Sequence, residues 1–214
     1  MRPPESWQRA PATVLIAAVT AAAWAAMWIG GYTQAAALLL GFLPDRLSEG
    51  TAAARVATAL LNPLTATLVH AGFAHLFMNL IIHVYCGRSV EAILGSRALL
   101  LIYAVGAYAA AGAQFAAGPH VALPMVGASG AISAVIGAYA MLFGRNRVNV
   151  ASAVAATFLN ALWMIAAWAL LQYAVGSLFL TTMNVDIAIA AHVGGFVAGL
   201  VLARPLLLWK WRHA

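Results

Sequence analysis

Charge is scarce in this sequence: Asp, Glu, Lys and Arg make up 7% of the 214 residues, while 64% are hydrophobic. A water-soluble domain carries about 25% charge, so a cytosolic globular enzyme is disfavoured and the bilayer is the natural solvent. Cysteine is nearly absent too. Cys86 stands alone in an apolar segment, which rules out an intramolecular disulfide framework. His-Glu-x-x-His is missing and no carboxylate accompanies the histidines, so neither a metal nor any other cofactor is expected. The net charge of +6 comes from cations scattered between apolar blocks. A nucleic-acid binder would gather them on one surface, so no nucleic-acid partner is expected. No period of 20 to 50 residues recurs and no inverted half-repeat is visible, which weakens a transporter reading.

What the sequence does have is long apolar blocks. They predict spans at about 12–29, 72–87, 98–117, 128–144, 155–180 and 187–208, separated by Gly, Pro and charged residues. The blocks are continuous and rich in Ala and Leu rather than short and alternating, so an all-α polytopic bundle is expected and not a barrel. The expected division is an N-terminal segment 1–11, a six-helix membrane domain 12–208 and a tail 209–214. Ala21-Ala22-Ala23 could pass for a signal-peptidase site. The apolar run continues through Trp24, Met27, Trp28 and Ile29, however, and favours a retained first helix. Of the 11 Lys and Arg residues, nine fall on one side (Arg2, Arg9, Arg88, Arg97, Arg145, Arg147, Arg204, Lys210, Arg212) and only Arg46 and Arg55 on the other. That bias predicts both termini in the cytoplasm of a multi-pass cell-membrane protein, with 41–70, 118–127 and 181–186 outside.

Against this background the polar residues within the spans need reasons: His70, His75, Asn79, His83, Ser129 and His192. A single intramembrane His, Asn or Ser commonly serves as a helix-packing partner, so the argument rests on their combination. If the fourth span starts near Gly130 and ends at Gly144, it rises only ~22 Å against a core of ~30 Å. It is too short to cross, so the segment from Gly118 through His120 to Pro124 is expected to dip into the membrane. Ser129 would then begin a submerged helix at the depth of His75 and His192.

Ser129 stands in Gly127-Ala128-Ser129-Gly130, where small neighbours permit a tight turn and close approach. Unpaired amides at a helix start suit a developing oxyanion. On the sixth span Gly195, Gly199 and Ala203 form a small-residue strip. Packed against Gly130, Ala134 and Gly137, it would bring His192 to Ser129 as a general base. Asp186 lies near the helix end and is not positioned to orient the imidazole, so a dyad is expected rather than a triad. His75, Asn79 and His83 share one helix face. His75 and Asn79, opposite Ser129, could donate to an oxyanion, while His83 reads as packing and His70 as a tie between the external loop and the bundle.

In combination these motifs resemble the rhomboid family of intramembrane serine proteases. The resemblance covers roughly residues 55 to 203. It rests on His70 through Asn79 (His-Ala-Gly-Phe-Ala-His-Leu-Phe-Met-Asn), Gly87 with Glu91, Gly-Ala-Ser-Gly, and Ala-His-Val-Gly-Gly-Phe-Val-Ala-Gly. It implies a six-helix fold whose short fourth helix carries Ser129 as nucleophile, with His192 as base. His75, Asn79 and the Ser129 amide would be oxyanion donors, with His70 in support and Glu91 in a structural element at the cytoplasmic end of the second helix. The implied partners are single-span membrane-protein substrates entering from lipid, cleaved without metal or nucleotide. Two departures stand out. The Trp-Arg of the family's first external loop is replaced by Leu60-Leu61-Asn62-Pro63, and Ser133 occupies the place of an aromatic that commonly stacks under the base, so the imidazole needs another orienting contact. The alternatives are a catalytically silent membrane-protein binder of the same fold and, from another class, a small transporter using Glu91 and the histidines as a proton path.

Overall fold

The computed structural model describes residues 10–144, 153–183 and 188–212. Residues 1–9, Arg145, Arg147, Asp186 and the second half of the expected 181–186 loop lie outside the described residues. The described residues are helical apart from short connections, and the only strand-like pairing among them is an isolated bridge between Phe42 and Met125. The long helices are α1 (Pro11–Ile29), α6 (Phe73–Leu94), α7 (Ser96–Ala117), α8 (Ser129–Phe143), α9 (Ala153–Met183) and α10 (Ile189–Lys210). Between α1 and α6 lie α2 (Thr33–Leu40), α3 (Pro44–Ser48), α4 (Ala52–Leu60), α5 (Asn62–Thr65) and a 3-10 turn at Ala66–Leu68.

Helices α1, α7, α10 and, within α9, residues Ala155–Ala174 are long and apolar enough to cross a membrane. A fifth candidate is the pair Asn62–Leu68 and Phe73–Leu94, bent by 105° at its break, and α8 is shorter, at 15 residues. Helix α8 covers nearly the residues expected for the short segment from Gly130 to Gly144. The second helix is longer than its expected end at Gly87. It runs on to Leu94 because Gly87 is a site of close approach to Thr13 of α1, and the turn falls at Gly95 (φ +89), where a left-handed residue is required.

Helix α8 forms the centre. Ala131, Ile132, Ala134, Val135 and Ala138 are buried, packed with Leu99, Ile102 and Ala107 of α7, Val90 of α6 and Ala203 of α10. The α8–α10 seam is made by small residues, as the strip predicts. A Cβ on Gly195 would fall on the Gly130 carbonyl oxygen, one on Gly199 on that of Ala134, and one on Gly137 on that of Phe196. No other residue type permits backbones so close. In contrast, α9 is peripheral: only 6% of its spanning window is buried, and it packs onto the bundle mainly along α10.

Glu91 joins three helices. Its carboxylate accepts from the Ala12 and Thr13 amides at 2.8 Å, from Thr13 Oγ1 at 2.7 Å and from Ser96 Oγ at 2.7 Å. It thus caps the N-terminus of α1, where backbone donors have no helical partner and anionic charge is favoured. The family resemblance implied a structural element here, and the contacts of Glu91 are to α1 and α7. The side chain of His83 is buried against the same helix, its Nε2 lying 3.2 Å from the Thr13 carbonyl, in keeping with a packing role.

The loop between α1 and α6 is anchored through backbone rather than through a Trp-Arg pair. Buried Asn62 donates to the Leu39 carbonyl at 3.1 Å, and Thr65 Oγ1 to that of Leu40 at 2.7 Å. Arg46 and Arg55 donate to the loop's own carbonyls at Leu38, Ser48 and Gly50. This loop in turn braces the irregular segment before α8. Phe42 and Met125 exchange backbone hydrogen bonds, Ser48 Oγ donates to the Pro119 carbonyl, and the Gly127 amide to that of Ala66.

Candidate active site

Ser129 is the first residue of α8, so its amide and those just after it belong to the turn whose donors lack helical partners. Two residues before it, Gly127 adopts φ +113, and a Cβ there would come within 2.6 Å of the His75 ring. Glycine is therefore required twice over, by backbone conformation and by the imidazole against it. The next amide, of Ala128, donates to Nε2 of fully buried His70 at 3.4 Å, and the His70 ring meets that of His75 edge-on at 5.0 Å. His70 thus does more than tie the loop to the bundle; it props the turn that presents Ser129.

The α8–α10 seam carries His192 to the same place. Its Nε2 lies 2.7 Å from Ser129 Oγ, hydrogen-bonding distance between residues 63 apart in sequence. Both side chains are half-buried. Gly130 and Gly195 allow this approach by touching backbone to backbone one residue beyond Ser129 and three beyond His192. An imidazole nitrogen at this distance from a hydroxyl can accept its proton as the oxygen attacks.

His75 and Asn79, one turn apart on α6, line the other side of the turn. His75 packs on Gly127, while buried Asn79 borders a narrow crevice with Ala128 and Ile132. One amide proton of Asn79 goes to the His75 carbonyl at 2.8 Å, which fixes the orientation of the group. An amide has a second proton to give, and a neutral imidazole one.

Ser133, in the position where an aromatic would stack, instead donates to the Ser129 carbonyl at 2.8 Å. The orienting contact that its presence demands comes from α9, which the sequence reading did not identify as contributing to the site. The Gln172 side-chain amide hydrogen-bonds to His192 Nδ1. Trp168, one turn earlier, donates its Nε1 proton to the His192 carbonyl at 3.3 Å and stacks on Phe196 at 5.1 Å between centroids. A signal existed, since Gln172 is an amide in a long apolar helix, but a single residue carries no spacing pattern. Among the described residues, no group of three or more His, Cys, Asp or Glu side chains is placed to hold a metal ion.

No individual curated protein matches the chain. A family model described as the Rhomboid domain matches residues 58–209. That stretch is well over half of the 214 residues, lies close to the 55–203 outlined by the motifs, and contains every residue of the cluster around Ser129. With its several membrane-length apolar helices, the chain is therefore a multi-pass membrane protein that belongs to the rhomboid family, a family typified by intramembrane serine proteases.

Proposed function

We propose that this chain is an intramembrane serine endopeptidase that cleaves single-span membrane proteins with a Ser129–His192 dyad. The observation that carries the reading is the 2.7 Å separation of Ser129 Oγ and His192 Nε2 at the start of the short central helix. In the reaction, His192 takes the Ser129 proton as Oγ attacks the substrate carbonyl carbon. His75, Asn79 and the Ser129 amide stabilise the oxyanion, His192 protonates the leaving amine, and water resolves the acyl enzyme. His70, Gly127, Gly130, Gly195 and Gly199 support that geometry without touching substrate, and Glu91 holds the helices that frame it.

A helical substrate buries its carbonyls in its own hydrogen bonds, so cleavage favours segments with Gly, Pro or small residues that unwind easily. The reading includes six spans, with α8 counted as the short fourth, both termini in the cytoplasm and the dyad opening outward in the cell membrane. The carboxylate that a proton path would need is Glu91, and its oxygens are occupied by four donors, which speaks against transport.

The test is reconstitution with a panel of single-span substrates. Wild type is expected to release product, and Ser129→Ala and His192→Ala none above background. Equal product from all three proteins would remove the enzyme reading. A mechanism-based serine probe should label wild type and not Ser129→Ala; failure to label wild type would favour a silent binder.

A further inference from the structure

We propose that Gln172 is a positioning residue that sets the tautomer of His192, a role that rests on the Ser129–His192 reading above. A neutral imidazole carries one ring proton, so Nε2 can accept from Ser129 only when that proton sits on Nδ1. In a Ser-His-acid arrangement a carboxylate enforces this by accepting from Nδ1. Here the group at Nδ1 is the Gln172 amide, and Glu91, the acidic residue on the described long helices, is committed to α1 and α7.

The two ends of an amide make opposite demands on the ring. Oε1 facing Nδ1 accepts its proton and leaves Nε2 bare toward Ser129. The Gln172 Nε2 end, which faces Nδ1 in the structure, donates, and so requires the ring proton on His192 Nε2, where it points at Ser129 Oγ. A half-turn about the terminal torsion exchanges the ends without moving α9, because that torsion is broad and two-fold. Amide orientation and ring tautomer are therefore locked together, one pairing idle and the other competent. A neutral amide also suits this depth, where an ionised side chain is costly.

The position of the amide is held independently. Trp168 and Gln172 are four residues apart on one face of α9, and both bond to His192, at its backbone carbonyl and at its ring. The Trp168–Phe196 stack, with an interplanar angle of 11°, fixes the register of α9 on α10. During the reaction the Ser129 proton passes to Nε2 as Oγ bonds to the carbonyl carbon and the C=O electron pair moves to oxygen. The imidazolium then carries a proton on each nitrogen. Gln172 Oε1 goes on accepting from Nδ1 and takes no proton, and the Nε2 proton leaves with the amine as the C–N bond breaks.

The experiment uses the full chain in detergent micelles, with its six histidines labelled with 15N and the His192 signals assigned by their loss in His192→Ala. The 15N shifts of Nδ1 and Nε2 report the tautomer directly. Gln172→Leu is expected to lose the Nδ1-protonated population, and Gln172→Glu, which can accept, to hold it. In parallel, kcat should fall roughly tenfold in Gln172→Leu with KM unchanged, and recover in Gln172→Glu. Thermal unfolding of both variants separates misfolding from the proposed effect. A folded Gln172→Leu protein with the wild-type 15N pattern, or with wild-type kcat, would overturn the assignment. If wild type itself shows no Ser129-dependent cleavage, the dyad reading fails, whereas the 15N pattern still decides whether Gln172 governs the ring.

Discussion

The chemistry of the site depends on single atoms held in place by residues that do not react. Asn79 spends one amide proton on the His75 carbonyl, an arrangement that aims the rest of the group instead of consuming it. Truncation to Asn79→Ala should lower kcat on the order of 10²-fold with folding unchanged, the scale of one lost oxyanion donor. Single-turnover assays on folded protein check this, and near-wild-type turnover would remove Asn79 from the site. Gly127 is constrained by its φ of +113 and by the His75 ring. Gly127→Ala is expected to cost about 1–3 kcal/mol of backbone strain and to displace Ser129, so both thermal stability and turnover should fall. The residues themselves were legible in the sequence, because polar groups in apolar spans are conspicuous. The Ser129–His192 pairing was also expected, through the small-residue strip, but the contacts of His70 with the Ala128 amide and of Gln172 with His192 were not, because neither follows from spacing on one helix.

At the scale of elements, the seam between α8 and α10 decides whether the dyad exists. Gly199 sits on the Ala134 carbonyl oxygen, so Gly199→Ala must push two backbones apart. The expected loss is about 1–3 kcal/mol, with turnover lost as His192 moves from Ser129. Gly112 of α7 has open space where a Cβ would stand. Gly112→Ala should therefore be neutral or stabilising by up to about 1 kcal/mol, from helix propensity alone. Unfolding midpoints of the two variants in one detergent make the comparison; equal shifts would mean that the seam is not the critical contact. The strip was readable from sequence because its spacing is local to one helix. The end of α6 was misplaced at Gly87 because a glycine reads as a stop, whereas here it serves an approach to Thr13.

On the scale of the whole molecule, Glu91 ties α1 to α6 and α7, and its removal leaves the Ala12 and Thr13 amides without their acceptor. Glu91→Ala should destabilise by about 1–3 kcal/mol or more. Helix α1 lies outside the matched family region, so limited proteolysis that releases α1 first in this variant would identify the tie as its main anchor. Orientation is tested with Cys86, the single cysteine, replaced by alanine. An impermeant thiol reagent applied to intact cells should label Glu49→Cys and leave Trp211→Cys unlabelled, and the reverse pattern would invert the proposed topology.

Composition and periodicity by themselves determined that this chain is a helical membrane protein, that its central helix is short, and that small-residue faces are available for close packing. These are properties of single segments, set by the bilayer thickness, the rise of a helix and the size of side chains. The strip also pointed to the meeting of Ser129 and His192, but only the tertiary structure decided the partners of Glu91 and of His192 Nδ1. The acceptor for the α1 amides lies 79 residues from Ala12 along the chain, and the amide at His192 Nδ1 comes from a helix with no patterned polar face. Hydrogen bonds reach about 3 Å in space regardless of separation in sequence, so one-dimensional spacing carries no record of them.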